Sequence, residues 1–201
     1  PAGVAAATET TPVPRSMAGL PVFRAIFRRV AEHGLLGGFG DRIDPAAHGA
    51  VLALDRALAV QPFAGFVEAV PAYVNLLVGF APLIPAPAAV ELALRGLLGA
   101  ADAVPAGRMH GVDVVYDGPD LEAVAQACGL TVDGVIAAHL AGKYQVALYG
   151  FAPGYAYLSG VPQVLRLPRK DAAVRGVAAG SVIIAAGQCI VTTLTMPTGW
   201  W

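Results

Sequence analysis

The sequence predicts a protein of two parts, in which a small α+β domain is followed by a mainly-β domain. The first hundred residues alternate strand-like and helix-like patterns in the order βαββα. From Tyr144 onward the pattern changes to short strands separated by Gly and Pro turns, as in an antiparallel barrel. A run of small residues from Ala100 to Gly107 is typical of a domain boundary. We therefore predict a flexible tail at 1–20, an α+β domain at 21–104 and a β domain at 105–201.

The α+β domain begins with two apolar segments, Val22 to Phe27 and Leu35 to Phe39, which predict two strand-like pieces around a turn. Asp44 and Pro45 then supply an N-cap and a first-turn proline for a helix that runs to about Val60. Its apolar residues repeat at helical spacing. They are Val51, Leu54 and Leu58.

Two further strands and a second helix complete this domain. The segments Phe66 to Val70 and Tyr73 to Phe80 are rich in Val, Leu and aromatic residues and are separated by a short turn. Pro87 opens the second helix, which ends before Gly99. This order is typical of helices packed on one face of an antiparallel sheet.

The second domain is predicted to start with a strand from Val112 to Tyr116. Asp120 then caps a short helix that Gly129 ends, and another helix runs from Thr131 to about Leu140. All later residues are assigned to strands and turns.

Composition argues against several classes of function. Thirteen basic and fourteen acidic side chains give a net charge of -1, which offers no field to attract nucleic acid or an anionic membrane. Two uncharged stretches, Ala69 to Val90 and Val177 to Trp201, contain prolines or glycines and β-branched residues, so they predict buried strands and turns rather than membrane spans. Abundant apolar residues with few charges favour a partner subunit.

The two cysteines, Cys128 and Cys189, lack the spacing of a zinc site, so no metal site is predicted. They are expected to be reduced thiols of a cytoplasmic protein, although a single long-range disulfide is also compatible with the sequence. No secretory leader is recognised at the amino end. Cys189 has no base among its sequence neighbours, so an inert buried thiol is expected.

One stretch, Tyr144 to Leu158, resembles the signature of a known bacterial family. It reads YQVALYGFAPGYAYL, and the family pattern is a strand that ends in Gly-Phe-x-Pro-Gly-aromatic-x-Tyr-Leu. Further matches follow in the expected order. They are Phe39-Gly40-Asp41, Ile43-Asp44, Val70-Pro71-x-Tyr73, Pro119-Asp120-Leu121, Pro168-Arg169, Arg175, Gly180-Ser181-Val182, Ile184-Ala185, Gln188 and Pro197-x-Gly199-Trp200.

The chain thus resembles the Kip-type family, which includes the B-type subunit of 5-oxoprolinase and subunit 1 of allophanate hydrolase. It departs from the family pattern at Ala178, where relatives have Pro, at Ala186, where they have Gly, and at Thr192-Thr193, where they have Tyr-Pro. It also ends at Trp201, where relatives continue through further strands, so the barrel is expected to be incomplete.

The resemblance implies an amino-terminal ferredoxin-like domain, a carboxy-terminal cyclophilin-like barrel and a multi-subunit enzyme. The expected reaction converts 5-oxo-L-proline, ATP and water to L-glutamate, ADP and phosphate. ATP would be a substrate, bound with Mg²⁺, and no tightly held cofactor is expected. The expected partners are a homologous-barrel subunit (the C-type subunit, or subunit 2) and a third oxoprolinase subunit, and the chain alone is expected to be inactive. The alternatives are a urea- or allophanate-type subunit and a protein that inhibits a histidine kinase.

The signature loop supplies the first candidate site residues, Phe151, Pro153, Gly154 and Tyr157. A Pro/Gly turn brings backbone N–H groups close to a ligand. The alternative is a tight turn with Phe151 and Tyr155 packed in the core.

His139 is the candidate catalytic residue. It shares the apolar face of its helix with Val132, Val135 and Ile136, and a buried histidine that stays neutral can act as a base. The alternative is a packed, hydrogen-bonded structural histidine.

Four polar residues complete the candidate site for substrate and ATP. Arg169 and Arg175 carry the forked donor that suits a carboxylate or phosphate, unless they are solvated or paired with Asp171. Ser181 and Gln188 are placed at the barrel mouth, with strand-end hydrogen bonding as the alternative.

Overall fold

A computed structural model describes residues 25–82, 86–100 and 107–201. They form two compact units, of which the first ends at Arg108 and the second begins at Met109. The predicted tail at 1–20 lies outside the described residues, as does most of the predicted linker from Ala100 to Gly107.

The first unit is one antiparallel sheet with two helices. The strands lie in the order β1-β2-β4-β3, so β4 occupies the position between β2 and β3. The elements are β1 (Ile26–Ala31), β2 (Gly34–Gly38), α1 (Pro45–Val60), β3 (Phe66–Ala72), β4 (Asn75–Phe80) and α2 (Pro87–Ala100). The α+β class predicted for this part of the chain is confirmed.

The first helix, α1, forms as its capping residue predicts. The Asp44 side chain accepts a hydrogen bond from the backbone N–H of Ala47 at 2.8 Å and so satisfies one of the free donors of the first turn. Val51, Leu54 and Leu58 are fully buried against the sheet. Burial of this stripe holds the helix on the sheet.

The first strand differs from the prediction at its end. β1 runs from Ile26 to Ala31, past the predicted end at Phe27, because it pairs antiparallel with β2 from Ile26 opposite Gly38 to Ala31 opposite Gly34. Residues 22–24 of the predicted strand lie outside the described residues.

The second unit begins with two short helices and continues with six strands. The strands form a four-stranded sheet, β5-β6-β9-β8, and a two-stranded sheet, β10-β7, and within residues 107–201 they do not close into a barrel. The elements are α3 (Leu121–Cys128), α4 (Val132–Leu140), β5 (Gln145–Tyr149), β6 (Ala156–Ser159), β7 (Val174–Val177), β8 (Val182–Ala185), β9 (Gln188–Val191) and β10 (Met196–Thr198).

The predicted strand from Val112 to Tyr116 is wrong. These residues have no regular secondary structure, because no strand of the described chain pairs with them. Asp120 takes the N-cap position of α3, but its side chain makes no capping hydrogen bond and instead forms an ion pair with Lys170. Gly129 ends α3 as predicted.

Both faces of the four-stranded sheet are covered by other parts of the second unit. On one face, Leu158, Ile184 and Cys189 pack against α3 and α4. On the other face, Ile183 and Ile190 join a cluster that includes Trp200 and residues of β7 and β10. The backbone of Trp201 forms two hydrogen bonds with Ile184 at the free edge of β8, at 2.9 and 3.0 Å.

Within the described parts of the chain, no single helix has the length and apolar character needed to cross a membrane. The pair α3 and α4 passes that test only together, with a bend of 88° between them.

Candidate functional site

The second unit contains an open cavity of about 890 Å³. One wall is the irregular segment 112–120, and β7, β8 and the turn between them also line the cavity. Val135 and His139 of α4 contribute to the lining, as does Trp201. Most of these residues are apolar, so the few polar groups that line the cavity determine its chemistry.

His139 is placed by the start of α4 and by the packing of that helix. The Thr131 hydroxyl accepts the N–H of Gly134 at 3.1 Å and begins the helix, as predicted. Val135, one turn before His139, is buried in the core between the helices and the sheet. Residues four apart share a helix face, so His139 projects toward the same sheet.

Both ring nitrogens of His139 face side chains from distant parts of the sequence. Nδ1 lies 2.7 Å from the hydroxyl oxygen of Tyr116, and the two rings meet edge to face. Nε2 lies 4.0 Å from Sγ of Cys189 on β9. The Tyr144 hydroxyl donates to the backbone carbonyl of His139 at 3.1 Å. The ring nitrogens of His139 therefore face the irregular segment and β9, while the Tyr144 hydroxyl contacts only the backbone of α4.

Burial sets the protonation state of this cluster. Removal from water lowers the pKa of His139, because the charged imidazolium loses its hydration. The same cause raises the pKa of the Tyr116 hydroxyl and, to about 12, that of the Cys189 thiol. At neutral pH the cluster thus contains a neutral imidazole, a neutral phenol and a neutral thiol.

Cys189 has no base beside it in the sequence, but in space His139 reaches it from α4. The expected inert thiol agrees with the electrostatics, because a thiol with a pKa of about 12 carries almost no thiolate at neutral pH. Both cysteines are free, so the long-range disulfide that the sequence allowed is not formed.

The signature loop lies at one end of a row of aromatic rings. Phe151 has a φ of 71° and is 69% exposed, so it is not the packed core residue of the alternative interpretation. Its ring contacts buried Tyr155 at 5.1 Å, Tyr155 contacts Tyr157 at 5.5 Å, and Tyr157 contacts Trp200 at 6.2 Å between ring centroids. The guanidinium of Arg169 lies 5.4 Å from the centre of the Trp200 ring. The motifs containing Phe151, Arg169 and Trp200 thus meet in one continuous set of contacts.

The predicted site residues separate into two groups. His139, Arg175 and Ser181 line the cavity. The other six predicted site residues do not line the cavity. They are Phe151, Pro153, Gly154, Tyr157, Arg169 and Gln188. Within the described chain, neither Arg169 nor Arg175 forms an ion pair with Asp171.

A family model described as "Carboxyltransferase domain, subdomain C and D" matches residues 25–201. The chain belongs to this family. The match begins with the first described residue and includes both units, the cavity and the aromatic row.

A relative in Bacillus subtilis (strain 168) supports the resemblance drawn from the signature. Its name identifies it as the B-type subunit of 5-oxoprolinase, and it is 32% identical over 189 residues, which are 86% of this chain and 78% of the relative. The resemblance to the family that includes this subunit is therefore confirmed.

Two solved structures resemble the chain. The crystal structure of TTHA0988 is 35% identical with a TM-score of 0.72 and matches 83% of this chain. The chain spans only 33% of the length of TTHA0988. The Kluyveromyces lactis urea carboxylase is 14% identical with a TM-score of 0.67, covering 94% of this chain and 19% of that enzyme, and shares the fold alone.

Two features of this family member were missed from its sequence. Tyr116 was assigned to a strand, and no local pattern marks it as the partner of His139, 23 residues away. Lys170 pairs with Asp120 and lies 5.1 Å from the centre of the Trp201 ring. The family match at Pro168-Arg169, next to Lys170 in the sequence, is the signal that could have indicated the contact of Lys170 with Trp201. In the structure the Pro168 carbonyl accepts a hydrogen bond from the indole N–H of Trp201 at 2.7 Å.

Proposed function

We propose that this chain is the B-type component of a multi-subunit, ATP-dependent 5-oxoprolinase. The reaction would convert 5-oxo-L-proline, ATP and water to L-glutamate, ADP and phosphate. The observation that carries the proposal is the 32% identity to the B-type 5-oxoprolinase subunit of Bacillus subtilis over 86% of this chain and 78% of that protein.

The cavity supplies chemistry that suits amide hydrolysis. His139 is the proposed proton acceptor, because burial lowers its pKa and keeps the imidazole neutral and ready to take a proton. Arg175 on the cavity wall is the proposed partner of the substrate carboxylate, since a guanidinium can donate two parallel hydrogen bonds to it. Ser181 lines the same wall and is proposed to donate to substrate.

The aromatic row is proposed as a second contact surface for substrate or ATP. It combines a stacked guanidinium at Arg169 with the exposed ring of Phe151. Such a surface suits a flat or anionic group. Pro153, Gly154, Tyr157 and Gln188 are assigned to this surface. ATP is proposed to bind as its Mg²⁺ complex when the subunits are assembled.

The finer architecture and the assembly belong to the same proposal. The series β2, α1, β3, β4, α2 follows the first five elements of the ferredoxin-like order, which supports that assignment for the first unit. The second unit is proposed to be a cyclophilin-like barrel. The partners would be a homologous-barrel subunit and a third subunit in the cytoplasm, and the chain alone would be inactive.

A urea- or allophanate-type activity is the second candidate. The observation that favours it is the shared fold with the Kluyveromyces lactis urea carboxylase, at a TM-score of 0.67. Because 14% identity supports the fold alone, this candidate ranks below the first.

The two candidates are separated by the substrate that stimulates ATP hydrolysis. The chain is co-expressed with the proposed partner subunits, and phosphate release is measured with 5-oxo-L-proline, urea, allophanate or no addition. Stimulation by 5-oxo-L-proline alone is expected. Stimulation by urea or allophanate alone would transfer the proposal to the second candidate, and a well-assembled complex that responds to none of them would refute both.

A further inference from the structure

The imidazole of His139 has no nitrogen left for a ligand. Nδ1 is occupied by the Tyr116 hydroxyl at 2.7 Å, and Nε2 faces Sγ of Cys189, which is 2% exposed. A base must come within hydrogen-bond reach of the proton that it removes. His139 therefore lines the cavity without presenting a free ring nitrogen to it.

Tyr116 is the group through which His139 can reach a ligand. It lies on the irregular segment that forms one wall of the cavity, and its side chain is only partly buried. Within the described residues, Nδ1 of His139 is the only polar atom that is hydrogen-bonded to the Tyr116 hydroxyl. The oxygen keeps lone pairs that can accept a further hydrogen bond.

The protonation states allow the phenol to donate this hydrogen bond to the imidazole. Burial raises the pKa of Tyr116, so the phenol keeps its proton, and burial lowers the pKa of His139, so the imidazole is neutral. A neutral phenol can donate to the unprotonated nitrogen of a neutral imidazole, and Nδ1 is that nitrogen in the arrangement that the relay requires. The imidazole proton then resides on Nε2, directed at the thiol sulfur, which is a weak acceptor.

We propose that Tyr116 is the catalytic residue of the cavity and that His139 acts through it as a proton relay. A proton donor bound in the cavity, such as the attacking water, gives one proton to the hydroxyl oxygen of Tyr116. At the same time the hydroxyl passes its own proton to Nδ1 of His139. Tyr116 stays neutral throughout, and the imidazole gains one positive charge. This inference rests on the proposed function for its reaction and on the geometry alone for its hydrogen bond.

The hydrogen bond can be tested without any turnover. The ¹⁵N signals of the His139 ring are recorded near pH 7.5 in the 201-residue chain and in its Tyr116→Phe variant. We expect Nε2 to carry the proton and Nδ1 to be a hydrogen-bonded acceptor, and the Nδ1 signal to shift toward that of a free acceptor in Tyr116→Phe. A proton on Nδ1 in the unmodified chain, or an unchanged Nδ1 signal in the variant, would overturn the relay.

The catalytic role is tested in the co-expressed complex. Tyr116→Phe keeps the ring and removes only the hydroxyl, and we expect kcat for 5-oxo-L-proline to fall by about 100-fold or more. His139→Gln should produce a similar loss. Because the two groups act as one unit, the double variant should lose no more than either single variant.

A matched control comes from the same cluster. Tyr144→Phe also removes a tyrosine hydroxyl in contact with His139, but that hydroxyl donates to the backbone carbonyl and not to the ring. We expect its kcat to stay within about twofold of the parent, since it plays no part in proton transfer. Losses in Tyr116→Phe and His139→Gln that multiply in the double variant, or full activity in Tyr116→Phe, would refute the relay.

The experiments distinguish a failure of the proposed function from a failure of the proton relay. If the parent complex has no 5-oxo-L-proline turnover, the proposed function fails, whereas the ¹⁵N experiment still decides the hydrogen bond between Tyr116 and His139.

Discussion

Substitution of Gly160 by Ala tests how tightly the strands beneath the candidate site are packed. Gly160 directly follows β6 and has a φ of 108°, a conformation that L side chains rarely adopt. An added Cβ would overlap the carbonyl oxygen of Lys143 and lie 2.8 Å from its carbonyl carbon and 3.1 Å from Cα of Tyr144. These are backbone atoms, so no side-chain rotation relieves the overlap.

The expected loss has two parts. A left-handed conformation costs a non-glycine residue about 1–2 kcal/mol. Overpacking against atoms that cannot rotate away costs about 1–3 kcal/mol more. Gly160→Ala should therefore lower the free energy of unfolding by roughly 2–5 kcal/mol. Gly176→Ala is the matched control, because Gly176 has a φ of 73° and nothing lies within 4 Å of an added Cβ. It should show only the conformational cost.

The measurement is urea unfolding followed by tryptophan fluorescence. The chain has two tryptophans, Trp200 and Trp201, and both belong to the second unit, so the signal reports on the unit that contains Gly160 and Gly176. Equal losses in the two variants would show that the close approach of Gly160 to Lys143 does not exist in solution.

Four other perturbations follow from the structure. The protein should gain about 1 kcal/mol of stability in urea when Ala186, which has a φ of 49°, is replaced by Gly. An unchanged or lower stability would contradict the left-handed turn. Asp44→Ala should cost about 1 kcal/mol in unfolding followed by helical circular dichroism, through loss of the α1 cap. Cys189 should react with a thiol reagent more slowly than Cys128 in the folded chain and equally fast in urea, because Cys189 is buried and its pKa is raised to about 12. Burial lowers the pKa of His139, so on acidification the unfolded chain takes up a proton at a higher pH than the folded chain does. The free energy of unfolding should therefore fall as the pH drops below about 6.5, and His139→Gln should reduce that fall.

Local signals in the sequence predicted most elements of the first unit. The pair Asp44 and Pro45 marks the start of α1, and Pro87 marks the start of α2, because caps and first-turn prolines act within a few residues. The end of β1 was less predictable. Strand limits depend on pairing with a neighbour, and β2 extends β1 to Ala31.

The second unit shows where local signals fail. Val112 to Tyr116 has the composition of a strand, but strand formation requires a partner, and the described chain supplies none. Asp120 is a good capping residue by type, yet its side chain is paired with Lys170, which lies 50 residues away. Both outcomes depend on tertiary contacts that residue type does not encode.

The candidate site was predictable only in part. The helical spacing of His139 and Val135 indicated that the histidine faces the core, and the structure agrees. The contacts of His139 with Tyr116 and Cys189 could not be predicted from residue spacing. Tyr116 precedes His139 by 23 residues and Cys189 follows it by 50, so only the tertiary fold brings them together. The motif matches at Phe151 and Arg169 did indicate residues that meet in space, through the aromatic row.

The central claim is that this chain works in a 5-oxoprolinase. The most direct measurement is the amount of L-glutamate and phosphate formed by the purified complex, assembled from this chain and the proposed partner subunits and supplied with 5-oxo-L-proline and Mg-ATP. We expect equal amounts of both products, no product from the chain alone, and loss of both when Tyr116 or His139 is substituted. Phosphate release without glutamate, or a fully assembled complex that forms neither, would contradict the claim.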